Sequence, residues 1–410
     1  MDEFASSPRR VRRCVLPDEE DYLSGLSDEL LHHILSFLPT RDSIRTSLLA
    51  RRWRRVWTSV PAIDFSYTNE IINPDTVGRF LSARSDSHSV SRLRLPGLGL
   101  QRIQSPIRNL LDYAKSHGTQ DATLHCFSLD PSLLDDLLHW PSLASLNLKA
   151  LGCQNCTLAF NSIALSNLRT LFLRLGEAAI PNETLAKLLS GCPLLEELKL
   201  NAEYPQHETI QIEAPNLLRL TVIPTPKKLQ INCQKLVYLK LLPNLNLMHL
   251  HVEAPSLTSV RLYQIWLFGK FTQTLFNVIM TAVVVIVLDT CRSGFPKFLK
   301  QRKGFPIFHK LLQLEIKMYV TKKFSLDVVF DLLQCTPKLQ SLVLILIEYK
   351  KRLRDEDFSE GESSSSLENL ERIRSALIKK LSKTVQVAVN IMFEGESEGE
   401  VRCNGELFVI

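Results

Sequence analysis

Apolar residues recur along this chain with two different periods. Between residues 22 and 60 the spacing is three and four. In DYLSGLSDELLHHILSFLPT, residues Leu26, Leu30, Leu31, Ile34, Leu35 and Leu38 make one stripe of an amphipathic helix. Ser27 is placed to cap its first turn, Asp28 and Glu29 stand where the helix dipole favours acids, and Pro39 ends it. A second short helix carries Ile44, Leu48 and Leu49, and a third carries Trp53, Val56 and Trp57 before Pro61. Three short helices with apolar faces predict a small bundle.

From about residue 90 to 345 the pattern becomes L-x-x-L-x-L. It is all leucine at Leu143/Leu146/Leu148, Leu168/Leu171/Leu173, Leu195/Leu198/Leu200, Leu236/Leu239/Leu241 and Leu339/Leu342/Leu344. With Val and Ile admitted, Leu217, Leu257, Val283 and Leu311 open further units, and weaker ones begin at Val90 and Thr119. The nine first positions from 143 to 339 are 25, 27, 22, 19, 21, 26, 28 and 28 residues apart. Those steps lie in or next to the window of leucine-rich repeats, about 20 to 29 residues. Longer steps hold helical segments such as NETLAKLLSGCPLLEEL and LDVVFDLLQCTPKLQSL, whereas the shorter ones leave no room for a helix. Two of the short ones share a phrase, IEAPNLLRLTV and VEAPSLTSVRL, offset by 40 residues, or two periods.

After residue 346 the register is lost. DEDFSEGESSSS reads as a charged loop and LENLERIRSALIKKL as a helix. Val385, Val387, Val389, Ile391 and Phe393 alternate like a strand, and Asn404-Gly405 is a hairpin signal. The expected order is a flexible N-terminal segment (1–20), the bundle (21–61), the repeats (62–345), a charged Ser-rich loop (346–366) and a divergent C-terminal cap (367–410). The expected class is α/β, a three-helix bundle followed by a curved leucine-rich-repeat solenoid.

Composition sharpens this reading. The 410 residues include 72 leucines and only 15 glycines; 45% are hydrophobic and 22% charged, which excludes a disordered chain. Of those leucines, 22 fall on the 27 core positions of the nine units. The net charge of +6 is uneven, with an excess of nine cations within residues 201–345. The densest run, Lys297 to Lys323, suits a solvated face or an anionic partner and lacks the density of a nucleic-acid arm. Nine cysteines are an odd number without a compact framework, and MDEFASSPRRVRR has no apolar core of a secretory signal, so reduced thiols in the cytoplasm or nucleus are expected. Leu275 to Leu288, at 14 residues, is too short for the ~20 that span a bilayer and reads as a buried strand. No membrane partner is expected.

Signatures of chemistry are sparse. Cys153-x-x-Cys156 is one pair without a second, His32-His33 and His249-x-His251 lack partners at ligand spacing, and Gly97-x-Gly99 lacks the third glycine of a phosphate loop. Cys192 and Cys335 stand before prolines at what read as matching repeat positions, where a small buried residue is wanted. The expectation is therefore no catalytic residue, no metal and no cofactor. Binding is better supported. With the leucines turned inward, the residues two, four and six places after each first leucine face outward. Arg174, Lys199, Tyr238, Lys240, Arg261 and Tyr263 form the middle of that strip, a basic and aromatic surface suited to an acidic or phosphorylated peptide.

LSGLSDELLHHILSFLPTRDSIRTSLLARRWRRVW resembles an F-box, specifically the plant form ending S-x-L-[SA]-x-R-W-R-x-[LV]-W, with Ser27 where that family usually has Pro. The repeats, with their EAPNL and EAPSL phrases, are similar to those of plant F-box leucine-rich-repeat proteins, so the resemblance spans residues 22–345; the tail has no clear match to the domain often found there. The resemblance implies that the F-box docks a Skp-type adaptor, and through it a cullin, while the repeats hold a protein substrate for ubiquitination. It carries over Leu26, Ser27, Leu30, Ile34, Leu35, Leu38, Pro39, Leu48 and Trp53 as adaptor contacts. The physics of size agrees, because some 40 residues cannot bury that many large apolar side chains alone, and an uncovered apolar patch marks an interface. The alternative is a scaffold or regulatory binding module that uses the same repeat surface outside ubiquitination.

Overall fold

The computed structural model describes residues 23, 25–66, 74–84, 88–98, 105–126, 131–150, 157–158, 162–243, 249–263, 285–289, 307–320, 333–349, 386–394, 401–402 and 408–409. The Cys153/Cys156 pair, most of the basic run from Lys297, the 1–20 segment and the 367–381 helix lie outside these residues.

The bundle is built on α1 (Asp28–Leu35), α2 (Thr40–Arg45) and α3 (Trp53–Val56), with 3-10 turns at Thr46–Leu48 and Trp57–Ser59. Ser27 caps α1 as the sequence predicts: its backbone is extended and its hydroxyl accepts from the Leu30 N–H at 3.4 Å. The helix is shorter than its apolar stripe, ending at Leu35 with turns before Pro39. Arg52 reaches across to Asp28 at 2.7 Å and also donates to the Leu26 carbonyl, tying the third helix to the start of the first. Leu31, Leu35, Trp53, Val56, Val60 and Ala62 make the bundle's own core.

The chain then enters β1 (Ala62–Asp64) and continues through α4 (Pro74–Ala83), β2 (Arg92–Leu98), α5 (Ser105–Ser116), β3 (Asp121–Cys126), α6 (Pro131–Leu138), β4 (Ser145–Ala150), β5 (Thr170–Ala179), α7 (Asn182–Ser190), β6 (Glu197–Glu203), β7 (Ile210–Glu213), β8 (Arg219–Thr225), β9 (Lys228–Asn232) and β10 (Tyr238–Pro243). There follow β11 (His249–Glu253), β12 (Ser259–Tyr263), β13 (Val285–Asp289), β14 (Gln313–Val320), β15 (Ser341–Tyr349), β16 (Gln386–Glu394), β17 (Val401–Arg402) and β18 (Phe408–Val409). All but β7, β9 and β11 join one sheet, whose strands run parallel and in chain order from β1 to β16.

One line of apolar residues crosses that sheet in strict register. Ile63 pairs with Leu93, and the line continues through Ala122, Leu146, Leu171, Leu198, Leu220, Leu239, Val260, Ile286, Leu314 and Leu342 to Val387. The core positions of the L-x-x-L-x-L units from Leu143 to Val260, and again from Leu311 to Leu344, are at most 7% exposed. Burying a leucine fully contributes roughly 1.5–3 kcal/mol, so the repeated leucine is what holds each coil to the next. The line starts one strand before the first recognisable repeat and ends one strand after the last.

Hydrogen bonds at the sheet's entry edge repeat the same logic. A single carbonyl in each coil accepts two successive N–H groups of the next: Gln120 from Ala144 and Ser145, Ala144 from Arg169 and Thr170, Arg169 from Glu196 and Glu197, Glu196 from Leu218 and Arg219. The ladder begins at Pro61, whose carbonyl accepts from Ser91 and Arg92, so the end of the bundle is stitched directly to the first coils. The Asp64 N–H donates to Thr40 Oγ1 at 2.7 Å, and Trp57 stacks on Phe80 with ring centres 6.0 Å apart. The bundle and the repeats thus share a packed junction.

Just before each strand the chain makes a tight turn in which the first leucine of the unit donates to the residue three places earlier: Leu143 to Trp140, Leu195 to Cys192, Leu217 to Ala214, Leu236 to Cys233, Leu257 to Ala254 and Leu339 to Thr336. Pro at the second place of most of these turns presets φ. The pairing of Cys192 with Cys335 expected from sequence is off by one residue. Thr336 occupies the buried turn position in the later unit, and the true counterpart of Cys192 is Cys233.

What backs each strand follows the step length. The step of 27 from Leu168 holds α7, whereas the three short steps from 195 to 257 hold β7, β9 and β11, which form a second parallel sheet in the order β11-β9-β7. The shared phrase is explained by that sheet: Glu213 and Glu253 end β7 and β11, both paired with Asn232 of β9, and each is followed by the Ala-Pro turn. At the far end, β16 extends the parallel sheet, and β17 and β18 both pair antiparallel with it. Asn404-Gly405, the expected hairpin signal, lies outside the described residues, between two strands that each pair with β16.

Candidate functional site

Two surfaces stand out. The first is on the bundle. Seven of the eleven large apolar side chains that stand exposed among the described residues lie between Leu23 and Leu49: Leu23, Leu30, Ile34, Phe37, Leu38, Leu48 and Leu49. Leu48 is 85% exposed, the highest of all. The geometry of α1 explains the sorting. Leu31 and Leu35, four residues apart, share the face turned to the core; Leu30 and Ile34 each sit one residue earlier, about 100° round the helix, and face out, while Leu38 stands exposed in the turn that follows.

The nine residues expected to touch an adaptor divide accordingly. Leu30, Ile34, Leu38, Leu48 and Ser27 are exposed, and Leu26 and Pro39 are half-buried. Leu35 and Trp53 do not reach the surface: at 1% and 6% exposure they belong to the bundle's interior, where they position the exposed helix faces. Phe37 and Leu49, which were not among the nine expected contacts, are 67% and 69% exposed and add to the exposed apolar side chains of the bundle.

The second surface is the outward face of the long sheet. Here a groove of about 450 Å³ crosses five adjacent strands, β4, β5, β6, β8 and β10. It is lined by Arg174, Lys199, Tyr238 and Lys240, four of the six residues expected from sequence, together with Phe172, Arg219 and Thr221. Arg261 lies one strand farther along, in register with Lys240, and Tyr263 ends that same strand. Lys199 Nζ is 3.8 Å from the centre of the Phe172 ring, and the Arg219 guanidinium is 4.4 Å from that of Tyr238. Glu197 on β6 reaches both cations, 2.8 Å from Lys199 Nζ and 3.7 Å from Arg219 Nε. Farther up the face, burial and the neighbouring Lys149 hold His125 below the usual histidine range.

Arg219 and Phe172 are the residues that sequence reasoning left out of the basic strip. Both stand at outward places, Arg219 at the second after Leu217 and Phe172 at the fourth after Leu168. The signal was the outward position itself, taken with the register that sets Arg219 beside Tyr238 and Phe172 beside Lys199.

Among the described residues no group of three or more His, Cys, Asp or Glu side chains is set to hold a metal. His249 and His251 lie on the second sheet, away from the groove, with His251 Nε2 2.9 Å from Glu253. Among the described residues, no helix is long and apolar enough to cross a membrane.

Comparisons with known proteins cover both surfaces. A family model for the F-box domain matches residues 23–63, and one described as FBD-associated F-box protein At5g56370, LRR repeats, matches residues 107–231. The F-box/FBD/LRR-repeat protein At1g51370 of Arabidopsis thaliana is 27% identical over 416 residues, covering 93% of this chain and 85% of that protein. F-box/LRR-repeat protein 25 of the same plant is 30% identical over 194 residues, 47% of this chain and 71% of that protein. F-box/LRR-repeat protein At5g02910, also from Arabidopsis, is 32% identical over 189 residues, and the match spans 45% of this chain but only 39% of that protein.

Proposed function

Because the chain belongs to the plant-type F-box/LRR-repeat family, we propose that it is the substrate-recruiting subunit of a Skp-cullin-F-box ubiquitin ligase. The F-box docks a Skp-type adaptor, the adaptor links to a cullin, and the outward face of the repeats holds a protein substrate. The observation that carries this reading is the apolar patch from Leu23 to Leu49, which holds most of the large exposed apolar side chains described. Contiguous exposed apolar surface on a soluble chain marks a place where another protein sits.

The chain does no bond-making in this scheme. Its contribution is proximity: a substrate held on the sheet face meets the ubiquitin-charged enzyme at a high effective concentration instead of by chance encounter. The packed junction around Thr40, Asp64, Trp57 and Phe80 suits that role, since a rigid link between docking patch and substrate face fixes where the substrate is presented. The cytoplasm and nucleus are the compartments in which this work would be done.

Co-purification with a Skp-type adaptor tests the docking half. Leu48→Glu combined with Phe37→Glu is expected to abolish capture without unfolding the bundle, because both side chains already face water; full retention would overturn the assigned patch. Substrate half-life tests the ligase half. Proteins captured on the repeats should become longer-lived when this chain is removed, and unchanged half-lives would favour a scaffold acting outside ubiquitination.

A further inference from the structure

The depth of the sheet-face groove is set by one short side chain. Thr221 stands on β8 in direct register with Lys199 on β6 and with Lys240 on β10. Neighbouring strands lie about 4.8 Å apart, so a lysine rises on each side of a threonine floor. Arg219 is two residues earlier on β8 and on the same face. Three cationic side chains therefore surround a depression whose floor offers a hydroxyl.

Two of these cations are already held in place. The guanidinium of Arg219 lies over Tyr238 and the ammonium of Lys199 over Phe172, which limits the rotamer freedom either would lose on meeting a ligand. Glu197 sits between them, its Oε1 within reach of both. One carboxylate cannot neutralise both Lys199 and Arg219, and the groove's lining, which also holds Arg174, contains no acid among the described residues.

We propose that this depression seats a phosphorylated side chain of a protein substrate and that Glu197 is the resident counter-ion it displaces. The inference builds on the reading of the sheet face as the substrate-holding surface. A ligand carboxylate would only exchange one single charge for another at Lys199 and Arg219. A phosphate brings a charge of about −1.5 to −2 and three strong acceptor oxygens, enough to bridge Lys199, Arg219 and Lys240 and to accept from the Thr221 hydroxyl. Glu197 thus makes the site selective for doubly over singly charged groups. The groove is also too long for a lone anion: its four inter-strand steps from β4 to β10 span about 19 Å, the length of about six extended residues.

Short degenerate peptide libraries with phosphoserine, aspartate or serine fixed at the centre, immobilised and probed with the full chain, test the proposal. The phosphoserine library is expected to retain about tenfold more protein than either of the others. Arg219→Ala and Lys199→Met should remove that preference while their melting curves stay close to the parent's, and Arg54→Ala, on the bundle, should keep it. Glu197→Gln should raise retention on the aspartate library and so narrow the ratio. Equal retention on all three libraries overturns the proposal, as does a preference that survives Arg219→Ala and Lys199→Met. Substrate capture by proximity labelling in cells separates this idea from the receptor reading. Groove variants that lose substrate while the libraries show no phosphate preference sink the phosphate seat alone. Phosphate preference with no effect on any captured protein's half-life sinks the ligase reading and leaves the seat standing.

Discussion

The ammonium nitrogen of Lys199 lies 3.8 Å above the ring of Phe172, its partner in register on the next strand. Cross-strand pairs of this kind stabilise a sheet, and a cation over an aromatic face contributes roughly 0.5–1 kcal/mol at a partly exposed site. The same amine also meets Glu197 at 2.8 Å, so two different neighbours compete to explain its position. A double-mutant cycle with Phe172→Leu and Lys199→Met, read by chemical denaturation, should give a coupling of about 0.5–1 kcal/mol that persists in high salt. Additive effects, or a coupling that salt removes, would show that Glu197 alone holds the amine.

The burial of Leu35 and the exposure of Leu48 predict opposite phenotypes. Leu35→Ala removes a side chain that is 1% exposed and should cost about 2–5 kcal/mol, seen as a lowered melting temperature. Leu48→Ser changes a side chain that is 85% exposed and should move stability by no more than about 0.5 kcal/mol while weakening adaptor capture. Adaptor binding lost through Leu35→Ala should return in proportion when the variant is assayed below its melting temperature. Loss through Leu48→Ser should not return on cooling.

Much of this architecture was legible in advance because it repeats. The L-x-x-L-x-L units set the register of the strands residue for residue, since a one-residue slip would turn every leucine to water. Step length separated helix-backed from strand-backed coils because a helix needs more chain than steps of 19 to 22 residues leave free. Other features were less readable for physical reasons. Leu30 and Leu31 are adjacent and chemically identical, and only the placement of α1 on α3 decides which one faces out. Cys335 and Thr336 are neighbours beside one proline, and a hydrogen bond, not the spacing of cysteines, tells which is the turn residue. The groove needed Thr221 to be short where its flanking residues are long, a contrast between strands far apart in sequence.

The junction between bundle and repeats hangs on a buried hydrogen bond from the Asp64 N–H to Thr40 Oγ1, 2.7 Å long. Thr40→Val keeps the shape and removes the acceptor, leaving a buried donor unpaired at a cost of about 1–3 kcal/mol. Thr40→Ser keeps the acceptor and should lose much less. Differential scanning calorimetry of the two variants checks this, and equal destabilisation would mean that the methyl group's packing, not the hydrogen bond, matters at this position.

Cys192 and Cys233 begin equivalent turns, and burial pushes their thiols up from an ordinary value of 9.0 to about 12 and about 11, with Glu213 adding to the rise at Cys233. An ionised thiolate is disfavoured in these apolar turns, so the folded chain keeps both protons where the unfolded chain loses them. The folded value is raised, and the sign follows: the stability linked to these two groups is fully present below pH 9 and is lost as pH rises from 9 through 11 and 12. Ala214 and Ala254 stand at the same turn position in neighbouring coils, so alanine fits there. The Cys192→Ala, Cys233→Ala double variant should therefore fold, and its melting temperature should fall less steeply than the parent's between pH 9 and 11. The same thiols should resist iodoacetamide at pH 8 in the native protein and react once urea unfolds it. Parallel melting curves for the two proteins across that pH range, or rapid native alkylation, would show that the turns are open to solvent.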